Sequence, residues 1–244
     1  MNQVRLKKFL TAFLVGAFAI SFPITSDARR LHDPAVETKS EVRDFSLTKE
    51  EAEIVAPEDN YSPAPKISGL FNAPPASDAS ILGTPVATQK QCVKYLTANN
   101  PNPRLGVSAE EIVAFYYEEG MREGIRPDLA FAQALKETGF FRYGGDVVPE
   151  QNNYCGLGTT GGGVRGVYFP DPKIGVRAHI QHLLAYTSTR MPTTEIVDPR
   201  YQIVRARYGS NILSHWYDLN GRWAVPGYHY GQDIMAMLRD ILNN

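Results

Sequence analysis

The sequence predicts a mainly α-helical domain, a bundle interrupted by one small irregular lobe. Three observations carry this. From about Thr88 onward apolar residues recur at helical spacing. Pro and Gly fall at the breaks between these runs, with Ser or Asp where helix starts need capping. A Gly-rich stretch from Gly156 to Gly166 leaves room for at most a small hairpin ending at Val167-Tyr168-Phe169.

Gln89 to Ala98 carries Cys92, Val93 and Leu96 as a first helix, followed by a turn run from Asn99 to Pro103. Ser108-Ala109-Glu110-Glu111 is a capping box opening a second helix through Ile112, Phe115, Tyr116 and Glu119, with Gly120 and Gly124 ending it. Pro127 suits the first turn of a third helix, and Asp128 is favourable beside the positive end of its dipole. That helix runs through Leu129, Ala132 and Leu135 to a stop at Gly139, which puts Glu137 in its last turn. Asp171-Pro172 caps a helix through Ile174, Ala178, Ile180 and Leu184, and Asp198-Pro199 another through Tyr201 and Val204. A last helix spans about Gln232 to Leu242, with Ile234, Met237, Leu238 and Ile241 on one face.

The 244 residues, 43% hydrophobic, suffice for one generous core. A formal net charge of -1, with no Lys/Arg cluster beyond the N-terminus, argues against a nucleic-acid partner. Arg5, Lys7 and Lys8 precede an apolar run from Phe9 to Phe22, too short for a membrane span and followed by small residues at Ser26-Asp27-Ala28. That layout is a secretory signal over residues 1–28, with an uncleaved anchor as the alternative. Either places the bulk of the chain outside the cytoplasm, in the cell wall or periplasm.

Residues 29–85 are rich in Pro, Ser, Ala, Asp and Glu and cannot bury enough apolar area to offset their chain entropy. They read as a disordered linker, with a weak capping-box pattern at Thr48-Lys49-Glu50-Glu51 as the helical hint. The domain proper is expected over 86–244. Cys92 and Cys155 are the two cysteines. Outside the cytoplasm they either pair, stabilising the fold by up to ~4 kcal/mol on the chain-entropy account, or remain two buried thiols.

Glu137 is the leading candidate for chemistry. A carboxyl near the negative end of a helix dipole, followed at once by Phe140 and Phe141, is disfavoured from ionising. An acid kept protonated near neutral pH is what protonating a glycosidic oxygen requires. The plain alternative is a solvated Glu near a helix end. Gln133 lies four residues earlier on the same helical face.

The run Gln133-Ala134-Leu135-Lys136-Glu137-Thr138-Gly139, followed by Asn152-Asn153-Tyr154-Cys155-Gly156-Leu157-Gly158, resembles the helix-end Glu and the Asn-Asn-aromatic-x-Gly motif of the bacterial glucosaminidases, glycoside hydrolase family 73. Asp198-Pro199-Arg200-Tyr201 is similar to that family's Asp-Pro-x-Tyr segment. The resemblance spans roughly Thr88 to Asn244. It implies an α+β lysozyme-like fold flanking a glycan cleft and endo-hydrolysis of the bond after N-acetylglucosamine in peptidoglycan. It further implies Glu137 as proton donor, a sugar subsite involving Gln133, Asn152, Asn153, Tyr154 and Gly156, and Tyr201 near the reacting ring. The expected form is a secreted, monomeric autolysin with no cofactor and peptidoglycan strands as its partner.

One departure bears on mechanism: no Asp or Glu occurs between Asn152 and Pro170, where larger members carry a second acidic residue. The local carboxylates are Asp146 and Glu150, with Asp171 simply explained as a cap. Inversion with a water held by Asp146 or Glu150, and assistance from the substrate's own acetamido group, both stay open. The segment Trp216 to Gly227 holds both Trp residues and reads either as a sugar-stacking surface or as a plug in the core.

The same residues admit four rival readings. Cys155 with His179 or His182 would make a thiol-imidazole pair as in cysteine peptidases, although Cys155 lies in a Gly-rich loop. His179-Ile180-Gln181-His182 invites a metal, but no third ligand is suitably spaced, so none is expected. A glycan-binding module without turnover, and a muramidase or lytic transglycosylase on the same fold, are the remaining alternatives.

Overall fold

The computed structural model describes residues 78–224 and 227–244. The expected signal at 1–28, the Thr48 hint and the linker as far as residue 77 lie outside the described residues. Six helices make up the regular structure among these: α1 (Gln89–Asn99), α2 (Ala109–Glu123), α3 (Pro127–Thr138), α4 (Pro172–Thr187), α5 (Tyr201–Tyr208) and α6 (Tyr230–Asn243). Two short 3₁₀ turns, Pro149–Gln151 and Trp216–Leu219, and a few isolated β-bridges complete it.

The helix starts obey local chemistry. Thr88 and Ser108 each cap their helix, with Gln91 and Glu111 reaching back to complete the capping box, and Asp171 Oδ1 accepts from the Ile174 amide. Gly139, in the left-handed conformation, ends α3 one residue past Thr138. Gly120 does not end α2, which continues to Glu123; a Cβ there would lie 2.9 Å from the Ile125 carbonyl oxygen and from Pro127 Cβ, so its bareness admits the following turn. Asp198 does not cap α5 directly: it closes the preceding turn by accepting from the Arg200 amide at 2.8 Å.

α3 is the central element, packed on α1, α2 and α6, while α4 packs on α2 and α5, and α6 also seats on the Trp216–Leu219 turn. Leu129, Phe131, Ala132 and Leu135 are fully buried, as are Ile112, Tyr116, Ile180, Leu184 and Leu238 on the facing helices. Each large apolar side chain so buried contributes roughly 1.5–3 kcal/mol against its chain entropy. Cys92 and Cys155 are both buried as thiols rather than joined in a disulfide, which decides between the two states the sequence left open; burial pushes the Cys92 thiol up to about 12.

Residues 79–83 form a strap between two loops. Ile81 donates to Ser214 O and accepts from the Arg126 amide, Ala79 O accepts from the Trp216 amide, and Gly83 donates to Gly124 O. Asp128 anchors both the strap and the residues that lead into α1. Its carboxylate, fully buried, accepts from the Val86, Ala87 and Leu129 amides and from both Nε and Nη2 of Arg126, whose Nη1 donates to Asp78 O. Removing a buried charge from such a set strands its partners. Asp128→Ala should therefore lower stability by about 3–5 kcal/mol, read as a shifted urea midpoint; a change under about 1 kcal/mol would contradict the anchoring role.

Candidate active site

Glu137 lies in the last turn of α3 and is only 3% exposed. Buried acids need partners, and most of those among the described residues are tied to an arginine or a histidine. Glu119 is paired with Arg122 and Arg177, Glu123 with Arg190, Asp128 with Arg126, and Asp198 with His182. Those acids join helices and loops to one another. Glu137 takes a short hydrogen bond on Oε1 from the hydroxyl of Tyr230, at 2.6 Å.

Tyr230 is the first residue of α6, and three contacts fix it there. Gly231 lets the helix touch the preceding turn, since a Cβ would come within 2.3 Å of the Trp216 carbonyl oxygen. Its amide donates to Asn220 Oδ1 at 2.8 Å. The Tyr230 ring stacks on Trp223 with centroids 6.5 Å apart. Lys136, beside Glu137 in sequence, pairs with Asp233 of α6 at 2.8 Å and so clamps the two helices from outside.

Behind Tyr230 runs a line of buried polar groups. Gln133 Nε2 donates to the Tyr230 hydroxyl at 2.7 Å, Gln133 Oε1 lies 2.8 Å from His179 Nε2, and His179 Nδ1 lies 2.8 Å from the Tyr116 hydroxyl. Gln133 and His179 are fully buried. Burial, with His182 nearby as a lesser cause, pulls the His179 imidazole down to about 3, so it is neutral in the working range. Burial holds the Tyr116 hydroxyl well above its usual value, so it keeps its proton.

The Asn-Asn-Tyr motif builds the small lobe from beneath. Asn153, 1% exposed, donates to the Leu157 and Val167 carbonyls and accepts from the Leu157 amide. Asn152, in the left-handed conformation, donates to Phe169 O, and the buried Tyr154 donates back to Asn152 Oδ1. Gln151, which drew no notice in the sequence, adds bonds to the Arg165 and Val167 carbonyls. Gly156 takes a positive φ and its carbonyl accepts from the Thr159 amide. The hairpin reduces to a single bridge between Gly161 and Val164. Gly175 of α4 presses on this loop: a Cβ there would be 1.9 Å from the Asn152 carbonyl oxygen.

The two motifs meet through an edge-on contact of Phe141 and Tyr154, centroids 5.8 Å apart. The aromatic contacts of Phe140 and Phe141 run to Tyr95, Phe131 and Tyr154 rather than describing a wall around the acid. Each of the other expected site residues has its own surroundings. Tyr201 is buried at the start of α5 with its hydroxyl on the Arg190 carbonyl, and Gln133 reaches Tyr230 rather than solvent. Asp146 accepts from the Gly163 amide at 3.0 Å, tying the lobe's ends, and Glu150 is exposed in the first 3₁₀ turn.

The two histidines of the rival readings have other partners. Both ring nitrogens of His179 face Gln133 and Tyr116, and His182 Nδ1 faces Asp198 at 2.8 Å. No group of three or more potential ligands capable of holding a metal occurs among the described residues. Trp216 and Trp223 are buried, which favours the core-plug reading of their segment; Trp223 packs against His179, His182, Tyr186 and Tyr230. No helix of the described residues is long and apolar enough to cross a membrane.

The signal that could have found Tyr230 is slight: a Tyr at a helix start, directly before the Gly that lets it approach. His179 also makes stability depend on pH. Between about pH 6.5 and 3 the unfolded chain binds a proton there and the folded one does not, so stability falls as pH falls, by up to about 1.4 kcal/mol per unit. His179→Gln removes this dependence, so its stability deficit relative to wild type should narrow from pH 6 to pH 4 in urea titrations. Parallel curves would place the titration elsewhere.

Comparison with known proteins fits this geometry. The glucosaminidase family model, described as mannosyl-glycoprotein endo-beta-N-acetylglucosaminidase, matches residues 113–242. An uncharacterized protein of Borreliella burgdorferi is 39% identical over 142 residues, covering 58% of this chain and 67% of its own. No solved structure matches the chain at a significant level. The match takes in the whole of α3 to α5, the Asn-Asn-Tyr loop, Tyr230 and most of α6, and with the mainly helical lysozyme-like architecture it shows that the chain belongs to the glucosaminidase family of glycoside hydrolases.

Proposed function

We propose that this chain is an endo-β-N-acetylglucosaminidase acting outside the cytoplasm on peptidoglycan, with Glu137 as general acid. The observation that carries this reading is the short bond from the Tyr230 hydroxyl to Oε1 of a nearly buried Glu137. With Oε1 accepting, the proton that a general acid gives up is carried on Oε2 in its acid form. When it leaves for the glycosidic oxygen, the bond from Tyr230 becomes charge-assisted and strengthens. Only interactions that grow toward the transition state accelerate the chemistry, and this one grows.

The departing sugar leaves an oxocarbenium-like centre that needs a nucleophile. No carboxylate occurs between Asn152 and Pro170 to supply one from the lobe. The routes are a water held by Asp146 or Glu150 and the substrate's own acetamido oxygen. The hydrogen bond of Asp146 to Gly163 gives that residue a structural task and favours the acetamido route. A glycan-binding module without turnover is the second reading, and the same missing carboxylate is what favours it.

On purified peptidoglycan, Glu137→Gln should cut cleavage by at least about 100-fold, since a general acid supplies about 10²–10⁴. Undiminished cleavage would remove Glu137 from the mechanism, and binding without new reducing ends in the wild type would favour the module. Tyr230→Phe should cost about 10- to 100-fold in kcat, as expected for a hydrogen bond to a charged group. Mass analysis of the products should find reducing-end N-acetylglucosamine; reducing or anhydro muramic acid would point to a muramidase or a lytic transglycosylase. Asp146→Asn and Glu150→Gln with near-normal kcat would support the acetamido route.

A further inference from the structure

His179 lies two hydrogen bonds away from Tyr230's bond to Glu137, fully buried, and neither the acid role nor the packing of α4 accounts for its pairing with Gln133 and Tyr116. The four bonds form one line in which each direction fixes the next. An ionised Glu137 has no hydrogen to give, so after proton transfer Tyr230 must donate to Oε1. Tyr230 has one hydrogen, so toward Gln133 it must accept, and Gln133 then presents Nε2 to Tyr230 and Oε1 to His179. Only an imidazole with its hydrogen on Nε2 meets that Oε1, and its Nδ1 then accepts from Tyr116. The opposite tautomer would turn the amide over, make Tyr230 donate to Gln133, and put the Glu137 proton on Oε1, facing Tyr230.

We infer that His179 is a positioning residue for the Glu137 carboxyl: as the Nε2–H tautomer it sets the direction of the Gln133–Tyr230 line, so that Oε1 accepts and Oε2 carries the proton. The side chain acts through Gln133 and Tyr230. Its kinetic consequence rests on the acid role of Glu137 proposed above; its structural consequence does not. Tyr116 belongs to the same device, since a phenol that keeps its proton gives Nδ1 a donor and discourages the other tautomer.

Two variants and one spectroscopic measurement test this. His179→Phe keeps a planar ring but removes the donor; His179→Gln restores an amide hydrogen near the position of Nε2. In folded protein, His179→Phe should lower kcat by about 10- to 100-fold with KM changed less than about twofold, and His179→Gln should recover kcat to within about threefold of wild type. A merely structural histidine would lower stability in both variants without that split. In the wild type, ¹⁵N spectra should show His179 neutral with Nε2 protonated from pH 5 to 8. An Nδ1–H tautomer, an imidazolium, or an unchanged kcat in folded His179→Phe would overturn the inference.

Should His179→Phe fail to fold, the wild-type tautomer and the kcat of His179→Gln still decide. A wild type that cuts no glycan while showing the Nε2–H tautomer, with the Glu137 carboxyl ¹³C shift displaced in His179→Phe and restored in His179→Gln, would defeat the hydrolase reading and leave the positioning inference standing.

Discussion

A carboxyl group almost removed from water needs a hydrogen-bond donor, and in this fold a phenol 93 residues farther along the chain is one that meets Glu137. Much of the architecture serves that meeting. Helix α3 delivers the acid at its last turn, α6 delivers the hydroxyl at its first residue, and the two ends must coincide to within a hydrogen bond's length. A salt bridge on the outer face, a stacked indole behind the ring and a bare glycine against the Trp216 carbonyl hold α6 in that register.

The other buried acids form a useful contrast. Glu119 and Glu123 meet arginines that come from α4 and from the loop after it, and Asp128 meets Arg126 and the amides of the entering strap. Guanidinium forks are permanently charged and bidentate, so such pairs hold elements in place. A phenol is neutral, and its bond to a carboxyl changes strength with the carboxyl's charge. The proposed acid is thus the one that meets a hydroxyl, whereas the acids that meet arginines hold elements together.

Local signals made the helices legible. Ser108, Asp171, Pro127 and Gly139 each act on the backbone within a few residues, so the positions of α2 to α4 could be read without knowing the fold. The position of Glu137 in the last turn of α3 was legible for the same reason. Tyr230 was not, because nothing near it in sequence announces a partner so distant, and the family-like Asp-Pro-Arg-Tyr run drew attention to Tyr201, whose hydroxyl is occupied by the Arg190 carbonyl. The asparagine pair was picked out as well, and in the fold its side chains bond to the lobe, Asn153 from a buried position. The entering strap was hidden by averaging: Ile81 sits in a Pro- and Ser-rich window, and a single apolar residue with two backbone bonds does not change a composition.

The strap and α1 precede the residue at which the family match begins, yet they close one side of the core. A fragment trimmed to the matched residues would bare the surface that Ile81, Cys92 and Leu96 cover, and would leave the Asp128 carboxylate without two of its amide donors. Such a fragment would keep Glu137 at the end of α3 while forfeiting the support under the helix's beginning. Homology thus marks out a shorter unit than cooperative folding does, and dissection of this protein should be guided by the latter.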